Sequence, residues 1–272
     1  MQGKVVLVTG STDGIGLETA RQLARLGATI ILHGRNYQTG PDLRDQIKRE
    51  TGNEHIDYVN ADLSKRDKLH ALTDHIKSQY GVLDVLIHNA GVFMTERKLT
   101  PEGLEMTFAV NHLAPFILTG LLLPCLKNAE QGRIITVSSI AHQNAHLDFN
   151  NLQGEVHFDP YKAYALSKLG NILFTYYLAE HLKGSKVTAN TLHPGVITTK
   201  LLKTGFNRTG ASLEEGADTS VYLAYSPEVS EISGGYFIKR KRTASSPASN
   251  DQHTINDFWK ISAELSGVSY VF

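Results

Sequence analysis

The chain has 272 residues, 41% of them hydrophobic, and its 27 Lys and Arg residues balance its 27 Asp and Glu residues. A chain of this size can bury the core of one large α/β domain, and a surface without net charge argues against nucleic acid or acidic lipid as a partner. One cysteine, no apolar run near ~20 residues and no signal-like leader predict a soluble cytoplasmic protein without disulfides or a transmembrane anchor.

The first predicted element is a strand, Lys4 to Thr9, whose continuous apolar run is typical of a strand buried on both faces of a parallel sheet. A glycine-rich turn and a helical pattern through Leu26 follow it. Such a turn lets the backbone approach a phosphate, while the helix N-terminus offers N–H groups and partial positive charge. The turn therefore predicts a dinucleotide site, although a plain tight turn has the same composition. The candidate cofactor contacts here are Gly10, Ser11, Thr12, Gly14, Ile15 and Gly16.

The second predicted strand, residues 28–32, continues into His33-Gly34-Arg35-Asn36. NAD-binding chains usually place a carboxylate here for the ribose hydroxyl, whereas a basic residue suits the additional phosphate of NADP. Gly34 stands where the acid would be and Arg35 follows it, so the pattern favours NADP, with Arg35 and Asn36 as ligands. The alternative is a solvated Arg35 in an ordinary loop.

The third strand, residues 55–59, leads to Asp62 and Leu63, which could bracket an adenine ring or cap the next helix, 65–79. Ser64 is the more natural cap for that helix, which leaves Asp62 free to contact a cofactor. The fourth strand precedes Asn89-Ala90-Gly91, which are small enough to admit a cofactor close to the backbone. Asn89 alternatively only ties neighbouring strands together.

Thr100 and Pro101 predict the cap and first residue of a long helix that carries Asn111 within an apolar stretch, residues 108–123. A buried amide there must find hydrogen bonds or cost ~1–3 kcal/mol. A satisfied core amide and a catalytic amide both fit this pattern.

The fifth strand, residues 133–137, delivers Ser138 and Ser139 to its carboxyl end, where open α/β sheets bind ligands. On the helix that follows, Tyr164 and Lys168 lie four residues apart and share a face. An ammonium about 4 Å from the phenolate, at an effective dielectric of ~20, would stabilise it by roughly 4 kcal/mol and lower the tyrosine pKa by about two to three units. The pair is therefore a candidate acid/base centre, although the same spacing also occurs by chance on amphipathic helices.

The sixth strand, residues 186–192, ends sharply before a segment that supplies Pro194, Val196 and Thr199 as further candidate cofactor contacts. Residues 201–211 lack periodicity and predict a mobile lid. A capping box at Ser212 begins another helix. The remaining predictions are a seventh strand at 234–238, a solvated basic loop at 239–242 and a terminal helix at 255–265. His142 and His146 have neither a third ligand nor an acid between them, which argues against a metal site.

Taken together, these motifs resemble the short-chain dehydrogenase/reductase family over residues 3–240, and look most like its retinol-dehydrogenase-like branch. The motifs, in the order of the family, are Thr9-Gly10-x3-Gly14-Ile15-Gly16, Asn89-Ala90-Gly91, Asn111, Ser139, Tyr164-x3-Lys168 and Pro194-Gly195-x3-Thr199. The resemblance implies a single-domain, doubly wound parallel sheet of about seven strands with helices on both faces. His88 departs from the family, which usually has an asparagine there, and the membrane anchor of retinol-type relatives is not visible.

The resemblance also implies the roles of the site residues. Tyr164 would be the acid/base, Lys168 would lower its pKa and hold the nicotinamide ribose, Ser139 would orient the substrate carbonyl, and Asn111 would hold a relay water. The expected function is NADP-dependent hydride transfer with a small carbonyl or alcohol substrate, in a protein that could form homo-oligomers. The alternatives are an NADP(H) sensor without chemistry and an NAD-preferring dehydrogenase.

Overall fold

A computed structural model describes all residues, 1–272. Its centre is one eight-stranded sheet in the order β3-β2-β1-β4-β5-β6-β7-β8, parallel except for the antiparallel last pair. The strands are β1 Val5–Val8, β2 Thr29–Gly34, β3 Ile56–Asn60, β4 Val85–His88, β5 Gly132–Val137, β6 Val187–His193, β7 Tyr236–Ile238 and β8 Lys241–Thr243. The predicted parallel sheet is confirmed. The strand order reverses between β1 and β4, and ligands of open α/β sheets bind in the crevice at such a reversal.

Helices cover both faces of the sheet, as predicted. They are α1 Gly14–Arg25, α2 Thr39–Thr51, α3 Arg66–Gln79, α4 Met106–Asn128, α5 Pro160–His181, α6 Lys200–Phe206, α7 Leu213–Tyr225 and α8 Gln252–Ser266. Alternate residues of the central strands feed two apolar layers, one under α3, α4 and α5 and the other under α1, α2 and α7. In β1, Leu7 belongs to the first layer and Val6 and Val8 to the second, which explains why the strand is apolar throughout.

The long apolar helix starts later than its sequence predicts. Thr100 and Pro101 form a turn in which the Leu104 carbonyl accepts from Thr100 N–H, and α4 begins at Met106. Glu105 is the true N-cap, since its carboxylate accepts from the N–H groups of Thr107 and Phe108, both at 2.8 Å. The helix is long and apolar enough to cross a bilayer, but 83% of its apolar window is buried inside the fold. Burial against the sheet therefore accounts for its apolar character.

The predicted basic loop is a β-hairpin instead. Lys239 and Arg240 form its two-residue turn, with φ angles of 49° and 60°, and β8 pairs antiparallel with β7. Positive φ at both central residues is the geometry that matches the twist of paired strands. The interpretation as a loop was wrong because Lys and Arg are not typical of such turns.

Candidate active site

The glycine-rich turn fits tightly against the end of β4. Gly10 has a φ of 63°, and a Cβ on it would lie 2.8 Å from Ala90 Cα. A Cβ on Gly16 would lie 2.3 Å from Asn89 Nδ2, which donates to the carbonyls of Thr9 (2.9 Å) and Gly10 (3.1 Å). Asn89 is thus the structural tie that the sequence left open. Because these glycines have no side chains, the backbone of the turn and the N-terminus of α1 lie close to the crevice between β1 and β4. There their N–H groups can hold a dinucleotide phosphate.

A histidine that the sequence did not single out as a functional residue joins three strand ends around this turn. Gly10 N–H donates to His33 Nδ1 (3.0 Å), so the ring proton is on Nε2, which donates to the carbonyl of Ala61 (3.1 Å). The backbone of His33 also bonds Ser11 in both directions. Burial lowers the pKa of His33 to about 4, against the opposing effect of the Ala61 hydrogen bond, so the ring is neutral at pH 7. His33 therefore holds the turn in register with the ends of β2 and β3.

The end of β2 presents one free cation. Arg35 is exposed and forms no ion pair, so its guanidinium is available to an anion. A Cβ on Gly34 would lie 2.4 Å from Thr12 Cγ2, so Thr12 occupies the space that a carboxylate at residue 34 would need. Asn36 Oδ1 accepts from the N–H groups of Gln38 and Thr39 at the entry to α2, which engages this side chain within the fold.

The end of β3 differs from the sequence interpretation. Ser64 does not cap α3. Asp62 Oδ1 instead accepts from the N–H (3.1 Å) and hydroxyl (2.8 Å) of Ser64, so that the Asp62 carboxylate is not free of protein partners. Lys65 occupies the N-cap position without a side-chain bond. Leu63 is buried, and its position after β3 brings Asp62 and Leu63 to the sheet edge that carries Arg35.

Asn111 lies in a π-helical turn, Ala109–Leu113, inside α4. Its Oδ1 accepts from Val92 N–H (2.7 Å), and its Nδ2 donates to the Val92 carbonyl (2.9 Å) and to Ser167 Oγ (3.0 Å). The buried amide is therefore satisfied by protein partners and anchors the irregular segment that follows Gly91. A Cβ on Gly91 would lie 3.5 Å from both Asn111 Oδ1 and Lys168 Nζ, so these residues meet in one place. Single-turn π bulges occur frequently at functional sites.

Tyr164 and Lys168 share the buried face of α5. Lys168 Nζ lies 5.7 Å from the centroid of the Tyr164 ring and donates to the carbonyl of Val137 (3.0 Å). Burial raises the pKa of Tyr164 to about 12, opposed by the nearby Ser139 hydroxyl, and burial lowers the pKa of Lys168 to about 8. The spacing argument is correct for the geometry but wrong for the pKa in this structure. Burial, which takes the phenolate out of water, is the largest influence on the pKa of Tyr164, and the Lys168 ammonium is bonded to the Val137 carbonyl instead.

The two serines after β5 have different roles. Ser138 Oγ is buried and donates to the Lys168 carbonyl (2.7 Å), whereas Ser139 Oγ accepts from Ala141 N–H (3.2 Å) and lies near enough to the Tyr164 phenol to lower its pKa. His142 fixes Ser139: its Nε2 accepts from Ser246 N–H (3.1 Å), so its Nδ1 carries the proton and donates to the Ser139 carbonyl (2.7 Å). His142 is thus engaged in hydrogen bonds, and no group of three His, Cys, Asp or Glu side chains is arranged to hold a metal ion.

Residues 197–211 cover the tyrosine with a short helix, where the sequence predicted an irregular lid. Thr199 caps α6 by accepting from Leu202 N–H (3.1 Å), and it faces Gly14 at the glycine turn. Phe206, on α6, lies 5.8 Å from the Tyr164 ring between centroids, and Phe93 lies 5.6 Å from it. No local pattern marks these two aromatic residues, because their contacts with Tyr164 are formed only by the fold.

The base of this segment is closed by hydrogen bonds. Thr198 N–H donates to the Ala211 carbonyl (3.1 Å), and Ala211 N–H donates to the Val196 carbonyl (2.8 Å). The Thr198 hydroxyl bonds both backbone groups of Gly210. Pro194 and the half-exposed Val196 lead into this base from the end of β6. The predicted contacts from β6 thus lie beside the glycine turn, while the side chain of Thr199 is used as a helix cap.

Most of the predicted site residues therefore gather at the carboxyl edge of the sheet. Gly10 to Gly16 contact Asn89 and Ala90, Gly91 meets Asn111 and Lys168, and Ser139 meets Tyr164. Because Gly10 and Gly16 have no Cβ, the turn packs directly against Ala90 and Asn89, which fixes its backbone at the edge of the crevice. This is the arrangement that hydride transfer with a nicotinamide cofactor requires, because it places a phosphate-binding turn and an acid/base group along one crevice.

Comparison with known proteins agrees with this arrangement. The family model described as short chain dehydrogenase matches residues 4–209. Human polyprenol dehydrogenase is 38% identical over 97% of this chain and 86% of its own length, and bovine retinol dehydrogenase 12 is 36% identical over 98% and 88%. A chain from Escherichia coli CFT073, assigned to the short chain dehydrogenases and solved in complex with NADPH, has a TM-score of 0.73 and 26% identity, and the match covers 89% of this chain and 98% of that one. The chain belongs to the short chain dehydrogenase family, in the company of retinol dehydrogenases, as its ordered motifs predict.

Proposed function

We propose that this protein is an NADP-dependent oxidoreductase that moves a hydride between the nicotinamide and an apolar alcohol or carbonyl compound, with Tyr164 as the acid/base. The observation that carries the proposal is the meeting of Tyr164, Lys168 and Ser139 at the sheet edge that also holds the glycine-rich turn. A protein that only senses the cofactor has no need of this pair.

The preference for NADP is supported by the end of β2. Arg35 is exposed and unpaired, and Thr12 fills the space beside Gly34 that a ribose-binding carboxylate would occupy. A charge-assisted hydrogen bond to a phosphate contributes roughly 1.5–3 kcal/mol, or about ten- to a hundredfold in affinity. A phosphate on the adenosine ribose is therefore the feature that this edge of the site can recognise.

The bound cofactor supplies the hydride. The glycine turn binds its phosphates, and Lys168 lies where a ribose hydroxyl can replace the Val137 carbonyl as its partner. Tyr164 is a protonated phenol at neutral pH because its pKa is about 12, so it can donate a proton to a carbonyl oxygen as the hydride arrives. Ser139 can hydrogen-bond the same oxygen. Phe93 and Phe206 exclude water from the reacting atoms.

The aromatic cover also indicates the substrate class. Phe93 and Phe206 contact each other at 5.2 Å between centroids as well as Tyr164, so a substrate must displace or slide beneath apolar rings. Apolar molecules gain from that contact, and charged ones lose hydration there. Relatives named for polyprenol and retinol, both largely apolar alcohols, agree with this interpretation.

The test is the Tyr164→Phe variant, assayed with NADPH against a panel of apolar aldehydes and ketones. Loss of the proton donor is expected to reduce kcat by about 10²–10⁴, while the Kd for NADPH stays within about threefold. Tyr161→Phe is the matched control, because Tyr161 lies on the same helix and bonds only the side chain of Asn144. Turnover within about tenfold of wild type in Tyr164→Phe would refute the assignment. NADPH binding without turnover of any substrate by the wild type would favour the sensor.

A further inference from the structure

A second pocket lies beside the C-terminal half of α5, at Tyr176. It is an open pocket of about 470 Å³, bordered by α5, the β7–β8 hairpin and the 3-10 turn Pro247–Asn250. The eight lining residues share a polar, acid-free character, and they are Tyr176, Gly234, Tyr236, Arg242, Thr243, Ala244, Ser245 and Asn250. Tyr176 is twelve residues beyond Tyr164, or roughly 18 Å along the helix at 1.5 Å per residue. The Tyr176 wall of the pocket therefore lies well away from Tyr164, while the Tyr236 wall contacts His142, which bonds the Ser139 carbonyl.

The wall of this pocket contains a buried hydroxyl without a partner. Tyr236 is 1% exposed, and its hydroxyl forms no hydrogen bond. The ring is fixed by an edge-on contact with His142, at 5.1 Å between centroids. A buried hydroxyl without a partner is costly, and native proteins rarely leave one without a function or a bound molecule. The Tyr236 hydroxyl is therefore an unpartnered donor in the wall of the pocket, which a ligand reaches when the wall opens slightly.

The rim of the same pocket carries a solvent-exposed cation, Arg242, without a counterion. Arg242 forms no salt bridge and no side-chain hydrogen bond, whereas its neighbour Arg240 is paired with Asp218. Since none of the lining residues is acidic, the charge of Arg242 is not balanced from within the pocket. A guanidinium offers five N–H donors in a planar fork that matches carboxylate and phosphate oxygens.

The remaining polar groups include hydroxyls that are already joined to one another by hydrogen bonds. Tyr176 and Ser245 share a hydrogen bond of 2.7 Å, and Ser249 donates to Ser245 Oγ at 2.7 Å. Asn250 Nδ2 donates to the Ser246 carbonyl at 3.0 Å, which holds the 3-10 turn closed. These bonds fix the turn that forms one wall, so the pocket is organised before a ligand arrives, which lowers the cost of binding.

We propose that this pocket is a binding site for a small oxyanion, a phosphate or carboxylate group, held by the Arg242 guanidinium and the Tyr236 hydroxyl. An anionic oxygen satisfies the orphan hydroxyl and neutralises the unpaired cation at the same time. No apolar or cationic ligand would do both. The pocket volume exceeds that of inorganic phosphate and leaves room for the organic part of a phosphate ester or a polycarboxylate.

The test uses inorganic phosphate and citrate as probes of the wild-type chain, with binding measured by calorimetry and by the amide NMR shifts of residues 243–250. Arg242→Gln is expected to weaken binding at least tenfold, the effect of losing a charge-assisted contact. Lys241→Gln removes the same charge from the adjacent residue, outside the pocket lining, and should change affinity less than about threefold. Arg35→Ala, at the candidate cofactor site, should also leave these shifts intact.

A second variant separates binding from folding. Tyr236→Phe removes only the unpartnered hydroxyl, so without anion it should melt at or above the wild-type temperature, while anion affinity falls several-fold. Binding of phosphate alone or citrate alone identifies which oxyanion fits, and either supports the site. The proposal is overturned if neither phosphate nor citrate, at about 10 mM, changes the amide NMR shifts of residues 243–250, because a Kd above that concentration is too weak for a specific site. Equal affinity in Arg242→Gln and wild type overturns it as well.

Discussion

The imidazole of His33 is the contact on which the glycine turn most depends, and His33→Leu tests it at nearly constant side-chain volume. The substitution leaves Gly10 N–H without its acceptor and the Ala61 carbonyl without its donor, bonds of 3.0 and 3.1 Å in the wild type. Each unpaired group costs roughly 1–3 kcal/mol when buried. Because Gly10 is partly accessible to water, we expect the free energy of unfolding to fall by roughly 2–4 kcal/mol.

The turn should also become less ordered, and this affects the cofactor. Fixing the backbone of one residue costs roughly 1–2 kcal/mol, so NADPH binding that must order Gly10 again should weaken about five- to thirtyfold. The assay is the Kd for NADPH by fluorescence, with chemical denaturation in parallel. His112→Leu is the control, since it removes another buried histidine, bonded to Ser262 Oγ, away from the turn. Wild-type NADPH affinity in His33→Leu, or equal losses of affinity in both variants, would refute the reasoning.

Further predictions follow from the same contacts. Burial lowers the pKa of four histidines, from 6.5 to about 3 or 4, so the unfolded chain binds protons that the native chain does not. In urea titrations, the free energy of unfolding should therefore be highest above pH 6.5. It should fall by roughly 1.4 kcal/mol per pH unit for each histidine as the pH drops from about 6.5 towards 4. A free energy of unfolding that does not change over this range would contradict the prediction. Arg35→Ala should weaken the binding of NADPH roughly ten- to a hundredfold and leave the affinity for NADH unchanged. Equal losses of affinity for both cofactors would count against recognition of the ribose phosphate by Arg35. Gly34→Ala should lower the melting temperature, because the new Cβ would lie 2.4 Å from Thr12 Cγ2. The double variant with Thr12→Ala should recover most of the lost melting temperature. If it does not, Thr12 is not the residue with which the new Cβ clashes. Phe206→Ala should raise KM for apolar substrates roughly tenfold with little change in NADPH affinity, and an unchanged KM would separate α6 from the substrate site.

The elements whose signal is local were predictable from the sequence. The central strands are short apolar runs between turns, and Ser212 begins α7 as its capping box predicts, accepting from Glu215 N–H at 3.2 Å. The start of α4 was not predictable, because the sequence has two candidate N-cap residues five positions apart. Thr100 has the right residue type, but Glu105 bonds two N–H groups of the first turn.

Contacts between residues that are far apart in the chain could not be predicted from the sequence. The partners of His33 are 23 and 28 residues away, and no pattern in β2 marks it. The pKa of Tyr164 depends on a cover formed by residues from two distant segments, so helix spacing alone leads to the wrong direction. The convergence of the site residues was predictable, because the carboxyl ends of parallel strands lie at one edge of the sheet.

The closed base of residues 197–211 has a consequence for how this protein can be altered. The hydrogen bonds of Thr198 with Gly210 and Ala211 close the base of this segment, so residues 201–209 form a cassette that can be exchanged, provided that Thr199 and Lys200 are kept for their contacts with Gly14 and Asp13. Grafting cassettes of other lengths and polarities onto this base would retune which alcohols or carbonyl compounds are accepted, while the nucleotide half of the crevice stays as it is.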